Sequence, residues 1–429
     1  MVEQGVRLSG ALMLRGVVQH YDWGGYNFIP DLLGIENVTR RPYAELWIGA
    51  HAKAPSLVEE ASGAEQPLDQ LIAKAPEAIL GPATSLKFGA RLPYLFKVLD
   101  VHKMLSIQAH PTLVQAKEGF ARENAAGVPL DAGNRNYKDD NHKPEIGVAL
   151  TDFWMLHGFR PLEQIADALD RIPELGAVMP GFRQGLADAG HDHEARRAWL
   201  RELYSNVMTL AQEKVDSLLN QMIARLEEKP VSDKDNPDYW ALRAAENFPL
   251  PGGHRDRGIF SIYLLNLVHM RPGQGTFQPA GVLHAYLEGV NVELMANSDN
   301  VLRGGLTTKH VDVPELLRIL TFEGGRPEVL DGIQVTGQQR VYRTPAQEFE
   351  LSRIALTAGG RYAGEAAYGP KALLVLQGYG QITAAGQRNA LSRGSIAFLP
   401  AGREFVMEAQ GGDLVAFQAA VPLHARGAA

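Results

Sequence analysis

Three textures of apolar and polar residues follow one another along the chain. Over the first ~150 residues, about the length of one ordinary domain, short apolar runs are separated by long polar loops, a strand-rich pattern. Tyr94-Leu95-Phe96-Lys97-Val98-Leu99-Asp100-Val101 is rich in β-branched and aromatic residues and predicts one strand. Leu105-Ser106-Ile107-Gln108-Ala109-His110 predicts another, stopped by Pro111. Residues 133–143 read as a polar loop, and 145–150 turn apolar again. From about Pro161 the period lengthens. Leu162, Ile165, Leu169 and Ile172 recur at helical spacing, as do Trp199, Leu200, Leu203, Val207 and Leu210, and then Leu218, Leu219, Met222, Ile223 and Leu226 before Pro230. A helical block is expected to about Asn247, with strands resuming at Ile259. The last part of the chain returns to strands and turns: Ala372-Leu373-Leu374-Val375-Leu376 is a buried strand, and Gly378-Tyr379-Gly380 reads as hairpin punctuation rather than a phosphate loop.

One spacing occurs twice. Gly273, Pro279, Gly281 and His284 are matched, gap for gap, by Gly394, Pro400, Gly402 and Phe405. Each set reads as strand, Pro-x-Gly turn, strand: glycine permits the tight turn and proline pre-sets its φ. The spacing resembles the second signature of the cupin superfamily, whose last position is a metal-binding histidine. The expected fold is mainly β with a helical insertion: two cupin-type β-barrels (jelly rolls) plus an α-helical domain. Residues 1–155 and 256–325 would form a discontinuous metal-binding barrel, 156–255 the inserted helical domain, and 326–429 a second barrel. Phe405 stands where the histidine would be, so the second barrel is expected to be metal-free and filled with side chains.

Composition narrows the chemistry. With 429 residues the chain is long enough for two or three domains. A net charge of −7 argues against a general nucleic-acid binder, which needs a basic face. No cysteine is present, so disulfides and thiolate ligands are excluded, and a metal must sit on His, carboxylate or amide groups. Residues 1–10 lack a basic-then-apolar leader pattern, and no apolar run reaches the ~18 residues of a membrane span. A cytoplasmic monomer acting on a small molecule, without nucleic-acid or membrane partners, is the expectation.

Gln108 and His110 are two apart in a predicted strand and point to one face. Alone, each would read as a satisfied core polar group. With Asn141-His142-Lys143-Pro144-Glu145 following and His284 after the repeated turn, they predict one metal site of two imidazoles, one carboxylate and one amide oxygen. That set accepts Zn²⁺ without excluding Mn²⁺, Fe²⁺ or Co²⁺. One carboxylate leaves the site net positive, suited to polarising a substrate oxygen.

Longer motifs carry a more specific resemblance. Tyr21-Asp22-Trp23-Gly24, Pro42-Tyr43-Ala44-Glu45-Leu46-Trp47, Leu105-Ser106-Ile107-Gln108-Ala109-His110-Pro111, Asp140-Asn141-His142-Lys143-Pro144-Glu145 and Asn297-Ser298-Asp299-Asn300-Val301-Leu302-Arg303-Gly304-Gly305 occur in this order. Over roughly residues 14 to 320 the chain resembles type I mannose-6-phosphate isomerases. The resemblance implies one Zn²⁺ on Gln108, His110, Glu145 and His284, interconversion of mannose 6-phosphate and fructose 6-phosphate, and an active-site arginine at Arg303.

An aldose–ketose isomerase moves a proton between C1 and C2 through a cis-enediolate, so it needs a base and fixed positive charge. Arg303 is the expected cation, with Asp299, four residues earlier, to orient it. His142 and Lys143 are the candidate bases, with Glu293 a further one. Lys97, Ser106, Lys309 and Arg303 are candidates for the phosphate; Trp23, Glu45, Tyr286 and Asp299 are candidates for the pocket wall. Two rivals are an Fe²⁺ cupin oxygenase, which the amide ligand disfavours, and an inactive sugar-binding protein, which Lys143 and Arg303 beside a metal disfavour.

Overall fold

The computed structural model describes residues 10–59 and 63–422. The leader-like question about residues 1–10 therefore lies, apart from Gly10, outside the described residues. Ten strands, including Glu45–Gly49, Tyr94–Val101, Ile107–Ala109, Glu145–Ala149, Phe153–Phe159, His284–Ala296 and Leu302–Gly305, form one antiparallel sheet that carries the predicted ligands. A nine-stranded sheet around Lys371–Gln377 and Leu414–Ala420 and a four-stranded sheet containing Phe405–Ala409 face each other in the C-terminal part. The protein is mainly β with a helical block, as the texture of the chain predicts.

Alternation along Tyr94–Val101 shows how the layers are made. The strand is buried throughout. Phe96 and Val98 point outward and join Leu374, Phe398, Phe417 and Ala419 in the core between the two β-structures. Leu95, Lys97 and Leu99 point the other way, into the first barrel, because successive side chains of a strand take opposite faces. The helices Leu162–Arg171, His193–Thr209, Gln212–Glu228 and Pro237–Asn247 pack their apolar stripes on Ile107, Leu156, Ala285 and Leu302, on another outer face of the first barrel. A separate cluster with Ile354, Leu373, Ile382, Phe405 and Met407 fills the C-terminal barrel.

The glycines of the two repeated turns share one backbone region. Gly273, Gly281, Gly394 and Gly402 have φ of 91°, 77°, 84° and 74°, the left-handed region that side chains disfavour. The turn of the first copy delivers His284 to the start of its strand; the second delivers Phe405.

Five local expectations need correction. Ile259 begins no strand: Gly258–Leu264 is a helix with every residue buried, and the strand starts at Leu265. A short apolar run buried on all sides has no polar face to reveal its period. Leu105 and Ser106 lie outside the strand, which spans only Ile107–Ala109. Gly378-Tyr379 is no hairpin, because the strands on either side of it, Lys371–Gln377 and Gly380–Ala384, belong to different sheets and the chain turns a corner there. The first part also contains helices, among them Leu113–Ala125, started by a capping box in which Thr112 and Gln115 bond reciprocally. Finally, Leu12–Arg15, Leu57–Glu59 and Glu65–Pro67 extend the C-terminal nine-stranded sheet.

Candidate metal centre and its surroundings

The ligand-bearing segments are locked by backbone pairing. Gln108 lies directly opposite His284 on one neighbouring strand and Arg303 on the other, so the three side chains stand side by side on one face. The Gly281 N–H donates to the His110 carbonyl at 2.8 Å, tying the repeated turn to the end of the Gln108 strand. Glu145 opens its strand opposite Met295 and Gln278.

Glu145 sits between the two imidazoles. Its Oε1 is 3.4 Å from His110 Nε2 and its Oε2 is 3.4 Å from His284 Nε2. One donor atom from each of these three buried residues lies within 4.8 Å of the other two. The other ring nitrogens are engaged: His110 Nδ1 lies 2.8 Å from the Asn300 carbonyl and His284 Nδ1 lies 3.1 Å from the Val282 carbonyl. Nδ1–H donation to these carbonyls leaves both Nε2 lone pairs directed at the common point. His110 Nε2, His284 Nε2 and Glu145 Oε2 are buried with no hydrogen-bond partner in the protein. Orphaned buried acceptors are costly, and these three converge. The residues therefore fit a divalent cation.

Charge around the group is unbalanced in an informative way. Burial, with Lys143 nearby, pushes the His110 pKa down to about 4 and favours the neutral imidazole. Burial would raise the Glu145 pKa, but Lys143 and His110 outweigh it and hold the carboxylate well below its usual range. Lys143 Nζ is 2.9 Å from Glu145 Oε1, so this predicted residue stands at the centre.

Lys97 forms a second buried cluster. Its ammonium lies 3.2 Å from Glu293 Oε1, 3.4 Å from Glu45 Oε2 and 5.2 Å from the Trp47 ring centroid. The Trp47 indole also donates to Glu45. Burial alone would lower the Lys97 pKa, yet Glu45 and Glu293 raise it on balance, so the ammonium stays charged. Two carboxylates share one cation, and burial pushes the Glu293 pKa up. Lys97 is thus fully compensated by the protein, which does not suit the expected phosphate contact. Tyr286 is buried near this pair; burial first, and then the Glu293 and Glu145 charges, raises its phenol pKa.

Other expected residues go elsewhere. Asp299 does not orient Arg303; it pairs with Lys53 at 2.7 Å and His51 at 3.5 Å. These partners, with burial opposing them, keep the Asp299 pKa low. The His142 ring is hydrogen-bonded at 2.8 Å to Glu348 from the C-terminal part, which commits it away from the metal group. Arg303, half-buried, has no ion-pair partner among the described residues, and Lys309, exposed, is close enough to Arg303 for its pKa to be lowered by burial and then by that charge. Ser106 lies just before the strand of Gln108, and Trp23 is half-buried against the cluster of Leu99, Phe153 and Tyr286.

Several supporting residues were not anticipated. The Asn300 side chain accepts from the Lys138 and Asp139 N–H groups at 2.7 and 3.2 Å, and donates to the Asp139 and Asn141 carbonyls at 2.8 and 2.8 Å. It sews the polar loop to the strand behind His110. His157, opposite His284 in register, is buried, and burial, then His284, brings its pKa to about 4. His51, Lys53 and Glu348 complete the set. The Asn/Asp-rich motif around Asn300 was a usable signal; for the others only three-dimensional proximity gives one.

Residues 12–162 match the family described as phosphomannose isomerase type I, catalytic domain. The chain is 39% identical over 337 residues to mannose-6-phosphate isomerase of Shigella flexneri, covering 78% of this chain and 81% of that one. It is 37% identical over 386 residues to the Salmonella typhimurium mannose-6-phosphate isomerase, covering 90% and 93%. A crystal structure of a phosphomannose isomerase mutant from Salmonella typhimurium superposes with a TM-score of 0.85 at 32% identity, covering 96% of this chain and 100% of that chain. A zinc-bound mannose 6-phosphate isomerase structure superposes with a TM-score of 0.83 at 33% identity, covering 95% and 98%. With identity above the level of chance over nearly the whole length, the chain belongs to the type I mannose-6-phosphate isomerase family.

Proposed function

We propose that this protein interconverts mannose 6-phosphate and fructose 6-phosphate, using one zinc ion held by Gln108, His110, Glu145 and His284. The observation that carries this reading is the convergence of three orphaned buried donor atoms beside Gln108 and the free-standing cation Arg303. Gln108, His110, Glu145 and His284 would hold a zinc ion that would supply Lewis-acid polarisation of a substrate oxygen.

The protein's own groups do the rest. Glu293 carries the proton between C2 and C1 through a cis-enediolate: it is buried on the inner face of the barrel, and burial favours its proton-bearing form. Lys97 holds its carboxylate in place. Lys143 and Arg303 are preorganised cations that stabilise the enediolate oxygens without reorganisation. Lys309 and Ser106, at the Arg303 end, take the phosphate. Trp23, Glu45 and Tyr286 line the pocket, and Asp299, paired with Lys53, shapes its rim. His142, held by Glu348, positions the loop that ends at Glu145 and stays out of the proton path.

We assign the catalytic barrel to residues 1–155 and 256–325, the helical insertion to 156–255 and the second barrel to 326–429, with the three early strands at 12–15, 57–59 and 65–67 given over to the second barrel's sheet. Among the described residues no helix is long and apolar enough to cross a membrane.

The test follows conversion of mannose 6-phosphate to fructose 6-phosphate. Chelation should abolish turnover and zinc should restore it. Glu293→Gln should retain zinc while turnover falls ~10²–10⁴-fold. Full turnover in metal-free protein would overturn the zinc assignment, and full turnover in Glu293→Gln would overturn the base.

A further inference from the structure

Arg303 and Lys309 lie close enough for the charge of one to act on the other, but the fold holds them by different means. Arg303 is fixed by its ladder to Gln108. Lys309 follows six residues later, beyond the end of that strand at Gly305, in a segment that is neither helix nor strand. Its place must be set by contacts from outside the ladder.

The turn between the two cations has an uncommon backbone. Gly305 has a φ of 119°, and Leu306, a fully buried residue with a side chain, has a φ of 52°. Crowding of Cβ against the backbone disfavours that region for anything but glycine, so it persists only where the surroundings impose it. Two features impose it here. A Cβ on Gly305 would stand 2.6 Å from Gly258 Cα, and one on Gly258 would stand 2.6 Å from the Leu306 nitrogen, so the two segments meet backbone to backbone. Asp256, buried beside them, closes the contact. Its Oδ1 accepts from the Gly258 N–H at 2.7 Å and the Leu306 N–H at 2.9 Å, and its Oδ2 accepts from the Thr307 N–H at 2.9 Å. The bond to Gly258 alone would be an ordinary helix start. The other two go to residues 50 and 51 positions away, for which a helix start has no use.

That order is passed on in both directions. Thr307 Oγ1 accepts from the Lys309 N–H at 3.1 Å. On the other side, the Arg257 guanidinium donates to the Met208 carbonyl and, at 3.2 Å, to Gln212 Oε1, joining the end of the helix His193–Thr209 to the start of Gln212–Glu228. Tyr204 of the first helix stands so near the strand of Arg303 that a Cβ on Gly304 would lie 2.9 Å from its hydroxyl. Asp256 and Arg257 together strap the helical insertion to the turn between Arg303 and Lys309.

We infer that Asp256 is a positioning residue: by holding the Leu306 and Thr307 N–H groups it sets the turn that presents Lys309 to the substrate phosphate. The inference rests on the phosphate role given to Lys309 above. It gives the inserted helices, which carry none of the groups assigned to the reaction, a part in substrate binding.

Steady-state kinetics of the zinc-loaded full-length protein with mannose 6-phosphate test it, with inorganic phosphate as competing inhibitor. Asparagine at this position keeps one acceptor oxygen but sets an amide N–H group against the Thr307 N–H. Asp256→Asn should therefore raise KM ~10-fold and weaken inhibition by phosphate by a similar factor, the size expected for one lost hydrogen bond to a charged group. Because Arg303 stays on its ladder, kcat should remain within ~2-fold, the signature of lost binding rather than lost transition-state stabilisation. Thr307→Val, which removes the acceptor for the Lys309 N–H, should raise KM in the same direction. In the Lys309→Ala background neither substitution should add to the effect of Lys309→Ala, since the residues act through one contact; damage to packing would add in full. Zinc content and size-exclusion profile report that the variants are folded, and Thr307→Val serves if Asp256→Asn is not. An unchanged KM in the folded variants, a loss confined to kcat, or effects additive with Lys309→Ala would overturn the positioning role and leave the phosphate reading in place. An unchanged KM in Lys309→Ala itself would overturn that reading, and this inference with it.

Discussion

Glu145 is one buried carboxylate between two imidazoles and one ammonium. Removing a neighbour of such a group therefore has two separable consequences, for the cation and for turnover. Gln108→Ala and His284→Ala should lose zinc and activity together, read by metal analysis and assay on the same sample. Arg303→Ala should keep zinc while turnover falls ~10²–10³-fold, the size of effect expected when one preorganised charge donor is lost. At this scale the convergence of His110, Glu145 and His284 was legible, because strand spacing and a turn template suffice to aim them. Lys97 was not. Its compensation by Glu293 depends on a residue 196 positions away, and Glu45 reaches it only because the strands Glu45–Gly49 and Tyr94–Val101 are neighbours. Asp299 was misread for the same reason: four residues of separation from Arg303 say nothing about Lys53 lying 2.7 Å from its carboxylate.

Short helices and caps hold the loops that carry these residues. Thr112 caps Leu113–Ala125, two residues after His110, and Thr112→Ala should lower stability by about 1 kcal/mol in denaturant titrations. Glu315, in the helix Val313–Ile319, accepts from Arg318 at 2.6 Å and Arg122 at 2.8 Å, and also from the Tyr137 hydroxyl. Burial opposes ionisation there, but these donors bring the Glu315 pKa down to about 2, against 4.5 for the free group. A depressed folded-state pKa means that the unfolded chain binds the proton more readily, so the stabilisation is present above pH ~4.5 and is lost as pH falls towards ~2. Glu315→Gln should therefore cost about 1–2 kcal/mol near neutral pH, discounted because Arg122 and Arg318 are exposed. The gap from the parent protein should close in melts run at falling pH. Long amphipathic helices such as His193–Thr209 were readable from their period. Helices of five to seven residues, Pro76–Leu80 and Pro82–Phe88 among them, span too few turns to show one.

The whole molecule is organised by a repeated strand–turn–strand whose two copies have diverged in use. His284 ends the first in the metal group; Phe405 ends the second in an apolar core, with its ring 5.9 Å from that of Tyr362. Phe405→Ala should cost ~3–5 kcal/mol by leaving a cavity, while the folded fraction still binds one zinc per chain, measured by metal analysis after size exclusion. The inserted helices and the second barrel cover different outer faces of the catalytic barrel, leaving the metal cavity inside.

From the chain alone came whatever depends on local period and residue type: the β–α–β texture, the turn glycines that adopt positive φ, the absence of thiolate ligands and the histidines and carboxylate, His110, Glu145 and His284, that converge in the fold. Tertiary structure alone decided which charges meet. Pairing strands from distant parts of the chain put Glu293 on Lys97, Glu348 on His142 and Arg340 opposite Arg353, and recruited Leu12–Arg15 to a sheet built near the C-terminus. The physical reason is that a side chain's face is set by its own backbone, whereas its partner and electrostatic environment are set by whichever strand folding brings alongside.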